Sequence, residues 1–270
     1  MKLSFATLGC PNWNLDKIAA QARALGFEGV ELRGHPGEHI GANETPESRA
    51  AIRHLFRTQG VEIAAIMGYS NFAGGDEAAR QQAVESAIDM VKLAADVGCP
   101  VLRVFGGKIA EGASREDGIC RVVAGLKAVG VVAQGFGVKL ALETHDDWCV
   151  GAFLAEVLDR VNSPAVGACW DVGNSFFFEP ADKTFAAIGS RVYHVHFKDA
   201  AKTEKGVHGV LPGAGQVDLR RAMRLLRDGG YPGYLSFEWE KKWEPALAEP
   251  EVAFPHYATF VRAMMKEEGV

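Results

Sequence analysis

Four runs put polar residues where buried strands usually carry apolar ones: "LALETH" (140–145), "ACWDVGN" (168–174), "RVYHVHFKD" (191–199) and "YLSFEWE" (234–240). Along a strand, residues i and i+2 share a face. Ala141, Glu143 and His145 then face one way, as do Cys169 with Asp171, His194 with His196, and Ser236 with Glu238 and Glu240. The opposite faces hold Leu140, Leu142, Trp170, Val195, Phe197, Leu235 and Phe237. Each run is thus apolar outward and polar inward near its end. If the four strands are neighbours, Glu143, Asp171, His196 and Glu238 meet at one point. Three carboxylates converging without a cation repel and raise their pKa values. A divalent cation removes that repulsion. Carboxylates plus imidazole without a thiolate favour Mn2+, with Mg2+, Co2+ and Zn2+ as alternatives. His194 lies one layer deeper than His196 and reads as a hydrogen-bonded support.

The elements that must position these residues alternate without a break. Strands are expected at "KLSFATL", "GVELR", "VEIAAIMGY", "PVLRVFGG", "GVKLALETH", "AVGACWDVGN", "RVYHVHFKD" and "YLSFEWE". Helical patterns follow at 14–25, 46–59, 76–97, 116–135, 149–161, 182–188, 218–228 and 255–267. Thr45 with Pro46 opens the second helix as N-cap and first-turn proline. Eight βα units in about 250 residues predict a (β/α)8 TIM barrel, a single α/β domain over residues 1–270. An open doubly wound sheet would carry an early Gly-rich turn, and "LGCPNW" after the first strand is not one. The longest irregular segments are 33–45, 69–76, 199–217 and 240–254. They follow strand C-termini, where a barrel enzyme builds its active site.

Further residues at that end are candidates for substrate contact. His145, roughly 6–7 Å beyond Glu143 on the same face, is a candidate general base and sugar ligand. Asn174, Lys198, Arg103, Trp13 and Glu240 are candidate substrate-binding residues, and Lys198 is also placed to pair with Asp199 or Glu240. Glu31, Arg33 and Arg103 point inward and are expected to form ion pairs across the barrel, since buried charges need partners. Met67, Phe105, Phe176 and Trp239 join Trp13 as pocket-wall candidates, and His35, His39 and His208 fall in mouth loops.

"LALETH", "WDVGN", "HVHFKD", "GAGQVDL" and "SFEWE", with "GVELR" on strand two, resemble the motifs of the sugar isomerase/epimerase superfamily. These are xylose-isomerase-like TIM barrels that also include apurinic endonucleases, inosose dehydratases and ketose 3-epimerases. The resemblance covers nearly the whole chain. It implies that Glu143, Asp171, His196 and Glu238 are the metal ligands, in that order. It also implies that the two glutamates lie on opposite faces of a bound sugar and move its protons. Where those epimerases carry histidine, this chain has Asn174. The chemistry is general: a cation on a carbonyl and an adjacent hydroxyl acidifies the intervening C–H and stabilises an enediolate. Reprotonation from the other face epimerises, reprotonation at the next carbon isomerises, and loss of a β-group makes a lyase or dehydratase. A metal-dependent isomerase/epimerase of carbohydrate metabolism is the first expectation and a dehydratase the second. A hydrolase acting on abasic DNA and a non-catalytic sugar-binding barrel rank behind them.

Composition is ordinary for a soluble globular protein. Apolar residues make up 48% and charged ones 23%, with net charge −5. No basic surface for nucleic acid is indicated, so a small carbohydrate is the expected partner, with homo-oligomerisation compatible. The N-terminus lacks signal-peptide features, and no membrane span is expected. Five scattered cysteines without a CxxC pair read as reduced thiols of a cytoplasmic protein.

Overall fold

The computed structural model describes residues 1–204 and 206–270. Eight parallel strands close into a barrel: β1 (Lys2–Ala6), β2 (Gly29–Arg33), β3 (Glu62–Asn71), β4 (Val101–Phe105), β5 (Lys139–Glu143), β6 (Val166–Asp171), β7 (Val192–His196) and β10 (Tyr234–Phe237). β10 pairs with both β7 and β1, which closes the ring. The outer ring comprises α1 (Leu15–Ala24), α2 (Pro46–Gln59), α3 (Glu77–Val97), α4 (Arg115–Phe136), α5 (Gly151–Val161), α7 (Ala181–Ile188), α8 (Leu219–Asp228) and α9 (Pro250–Glu268). A short α6 (Val172–Phe176) follows β6 directly. The (β/α)8 architecture expected from the repeat is present.

Local chemistry sets the helix ends. Asn14, Thr45, Asp76 and Asp218 each accept a backbone N–H of the first turn, and Ser114 forms a capping box with Asp117. α4 is the one described helix long and apolar enough to cross a membrane. Its apolar character has a packing reason, because Ile119, Val122, Leu126, Val129 and Ala133 bury against the core. At the seam of the ring, Phe5 stacks on Phe254 at 4.2 Å and Phe237 on Tyr257 at 4.3 Å. These contacts pin α9 over β1 and β10.

Two departures from the sequence expectation affect the mouth. The segment 199–217, expected to be irregular, contains an antiparallel hairpin of β8 (Asp199–Thr203) and β9 (Gly206–Val210). Lys205, within that segment, lies outside the described residues. The last helix begins at Pro250 rather than at 255. Both prolines suit a first helical turn, and the helix starts at the earlier one, with Pro255 inside it.

Candidate metal centre

The barrel interior is layered. Ala65, Val101, Ala141 and Cys169 form an apolar floor. Above the floor the lining becomes ionic: Glu31, His194, His196, Glu143, Asp171, Arg103 and Glu238 are all buried. Each comes from the inward face of its strand or from the residue just past its end, as the alternation requires.

The structure brings Glu143, Asp171, His196 and Glu238 together, with one donor atom from each within 4.8 Å of every other. His196 Nδ1 is 3.3 Å from Glu143 Oε1, 3.3 Å from Glu238 Oε1 and 3.7 Å from Asp171 Oδ2. The strand ends are fixed locally. Thr144 Oγ1 accepts from the Asp171 N–H at 2.8 Å and donates to its carbonyl at 3.2 Å, tying the end of β5 to that of β6. Asp171 also caps α6, since its Oδ1 accepts the Asn174 N–H at 2.7 Å. That leaves Oδ2 turned to the centre, 3.0 Å from Lys198 Nζ and 3.7 Å from His196 Nδ1.

His196 is held from behind. Its Nε2 is 3.1 Å from Glu31 Oε1, so Nε2–H donates to the carboxylate and Nδ1 is left facing the cluster. Glu31 Oε2 accepts from His194 Nε2 at 3.0 Å and from Ser236 Oγ at 2.7 Å. Burial disfavours the Glu31 carboxylate, but the two histidines beside it hold it well below the usual carboxylate range. A carboxylate on the far nitrogen of a histidine fixes ring orientation and tautomer, the arrangement found behind metal-binding histidines. The sequence placed Glu31 in an ion pair across the barrel without naming its partner, and the partners are the two histidines of β7. The available signal was that an inward histidine presented as a ligand needs an acceptor for its other nitrogen.

The cations of the site are also placed. Arg103 Nε lies 3.0 Å from Glu143 Oε2 and its Nη2 3.9 Å from Glu238 Oε1, while Nη1 donates to the Gly68 carbonyl at 2.8 Å. Lys198 Nζ sits 2.6 Å from Glu238, 2.6 Å from Glu240 and 3.0 Å from Asp171. Burial opposes the Lys198 ammonium, yet these three carboxylates push its pKa well up. For Glu143, burial is outweighed by Arg103 and His196, which lower its pKa. For Glu238, burial is outweighed by His196 and Lys198, which hold it well below the usual range. Asp171 goes the other way, because burial there exceeds the effect of Lys198 and keeps its carboxyl raised.

This donor set fits a divalent cation. Ligand atoms held about 2.1 Å from one ion lie about 3.0–3.5 Å apart, close to the spacing around His196 Nδ1. The crowding of three buried carboxylates and the raised Asp171 are what such an ion would relieve. All four groups are oxygen or imidazole donors, the set suited to Mn2+, Mg2+, Co2+ or Zn2+.

Other residues singled out in the sequence are placed differently. β5 stops at Glu143, so His145 does not continue its inner face. The His145 N–H turns back to the Glu143 carbonyl. Its side chain is 39% exposed, with Nδ1 3.0 Å from Asp146 and the ring 4.6 Å from Phe105. Burial disfavours its protonated form, but the Asp146 hydrogen bond and nearby Glu143 raise its pKa on balance. β10 likewise ends at Phe237, and Glu240 reaches the site only through Lys198. Asn174 is half-buried in the middle of α6. Trp13 is buried edge-on to Phe254 at 5.7 Å, beneath Lys17 Nζ at 4.3 Å, a packing position.

Asp199 makes no pair with Lys198; it accepts the N–H groups of Ala200, Gly213, Gly215 and Val217. A Cβ at Gly215 would lie 2.1 Å from Asp199 Oδ1, so glycine is required there. His35 and His208 form local contacts, with the Pro36 carbonyl and with Glu244.

A closed barrel with a buried three-carboxylate, one-histidine cluster at the C-terminal ends of its strands has its candidate site where TIM-barrel enzymes build theirs. The chain belongs to the xylose isomerase-like TIM barrel family, which it matches over residues 19–259. It is 24% identical to inosose dehydratase of Serratia proteamaculans over 305 residues, covering 99% of this chain and 97% of that one. It is also 24% identical to fructoselysine 3-epimerase of Escherichia coli O157:H7, covering 99% of this chain and 100% of the relative. Among solved structures, that of the IolI protein with a bound zinc atom superposes with a TM-score of 0.78 at 20% identity. It covers 99% of this chain and 98% of that one.

Proposed function

We propose that this protein is a divalent-metal-dependent isomerase or epimerase that moves a proton beside the carbonyl of a keto-sugar or related polyol. The observation that carries the reading is the convergence of Glu143, Asp171, His196 and Glu238 on one point. A divalent cation held by these four supplies, when bound, the Lewis acidity that acidifies a C–H next to a carbonyl. Glu143 and Glu238 come from strands separated by β6 and β7, three positions apart around the ring, so they approach the centre from different directions. Neighbouring cations, Arg103 beside Glu143 and Lys198 beside Glu238, keep both glutamates ionised. Asp171 and His196 orient between them, and Glu31 fixes the His196 ring.

A dehydratase is the second reading. It is supported by Lys198, whose ammonium is held at the edge of the site against Glu238 and Asp171, where it can protonate a departing hydroxyl. The dehydratase and epimerase relatives match the chain equally well. Candidate keto-sugars incubated with Mn2+-loaded protein in D2O separate the two. Deuterium entering beside the carbonyl without loss of water supports isomerisation or epimerisation, and an α,β-unsaturated product supports the dehydratase. No exchange and no product across a panel of keto-sugars and inososes would reject both.

A further inference from the structure

We propose that Arg33 is a specificity-determining residue that binds an anionic group, a carboxylate or phosphate, on the end of the carbohydrate remote from its carbonyl. The inference rests on the keto-sugar reading above and narrows its substrate class. Arg33 is the last residue of β2 and points inward, two positions above Glu31. Counting around the ring, β2 lies four strands from β6, directly across the barrel from Asp171. A substrate engaged by the carboxylate cluster therefore extends toward Arg33 as it crosses the mouth.

The two inward arginines of this level are treated differently. Arg33 is in register with Met67, and Met67 with Arg103. Arg103 donates to a carbonyl and lies against Glu143. The Arg33 side chain is 0% exposed, yet its Nε and Nη1 atoms have no hydrogen-bond partner, and Nη2 meets only Glu38. Its charged contact is Glu38, and the ring of Trp243 covers it with the guanidinium carbon 5.8 Å from the ring centre. A guanidinium presents five N–H groups in a flat fork that matches two coplanar oxygens of a carboxylate or phosphate. Burying Nε and Nη1 of that fork without acceptors is unfavourable, and a neutral sugar hydroxyl offers no compensating charge.

Glu38 stands in the place of such an anion. It sits on a short turn closed by His35 N–H to the Ile40 carbonyl and Ile40 N–H to the Arg33 carbonyl. Gly37, at φ 84°, forms the open tip of that turn. Glu38 is 22% exposed and has a second cation, Lys242 Nζ, at 3.8 Å. An incoming anion can take over the Arg33 fork while Glu38 turns to Lys242, so every charge of the group keeps a partner.

Calorimetric titration of the Mn2+-loaded protein with D-fructose, D-fructuronate and D-fructose 6-phosphate tests this. At least one of the two anionic sugars is expected to bind tenfold or more tighter than D-fructose, and which one does so identifies the anion. Arg33→Met should reduce that ligand to the D-fructose level, Arg33→Lys should recover only part, and Glu38→Gln should tighten it. If Arg33→Met does not fold, the Arg33→Lys and Glu38→Gln proteins carry the comparison. Equal affinity for the three sugars, no binding by any of them, or a preference that survives loss of the guanidinium would overturn the assignment. Anion preference without deuterium exchange would reject the proton-transfer reading and leave this one standing. Exchange without anion preference would do the reverse.

Discussion

Glu31 and His196 illustrate what single residues contribute. The imidazole is aimed by a carboxylate behind it, and its free nitrogen meets three more in front. Glu31→Gln keeps the shape but removes the charge that fixes the ring, so affinity for Mn2+ should fall about 10–100-fold in a metal titration. Glu143→Gln and Glu238→Gln each remove a proton acceptor from the centre. Each should cut solvent exchange into substrate by about 100-fold or more, while either glutamine variant retaining full exchange would place that residue outside the proton path. His39 reports on the mouth in another way. Burial and the neighbouring Arg33 push its pKa down to about 4, with Nε2 donating to the Trp13 carbonyl and Glu38 acting weakly in the opposite sense. Between pH 6.5 and 4 the unfolded chain takes up a proton at this position that the folded chain refuses, so stability declines as pH falls through that window. The loss at the acid end is at most about 3 kcal/mol, and urea unfolding should show a shallower decline between those pH values for His39→Gln. Glu143, Asp171 and His196 were legible from the sequence because they lie within regular strands. Glu31 was not assigned its partners, because its contacts to β7 and β10 cross strands two and three places away. No pattern within one strand encodes that stagger.

At the scale of elements, the strand ends separate what parity predicts from what it does not. β5 and β10 stop at Glu143 and Phe237, and past those points the backbone turns, so His145 and Glu240 no longer follow their strand's alternation. The loops that replace the strands have their own organisers. Asp199 gathers four backbone N–H groups, which ties the start of the β8–β9 hairpin to the "GAGQVD" turn ahead of α8. That hairpin was missed because its Gly- and Lys-rich sequence lacks an apolar face. Asp199→Ala leaves several of those donors unpaired and should cost about 3 kcal/mol in denaturant unfolding. It should also raise protease cleavage between residues 200 and 217. An unchanged midpoint would mean that water or other groups satisfy the loop equally well.

For the whole molecule, closure of the ring turns four ordinary strand patterns into one centre. The eightfold βα repeat made the barrel legible, because each unit is local in sequence and its right-handed crossover leaves few alternatives. What the repeat cannot reveal is the filling of the interior, where Arg103 and Lys198 lie between carboxylates from different strands. The account rests on those carboxylates holding one cation per chain. Titration of metal-free protein with Co2+, followed by its visible absorption and by metal analysis after desalting, tests this most directly. It should reach an end point at one equivalent per chain, with that equivalent absent from the Asp171→Asn/His196→Ala double variant. A wild-type protein that retains no metal, or a double variant that binds it as well as the wild type, would contradict the account.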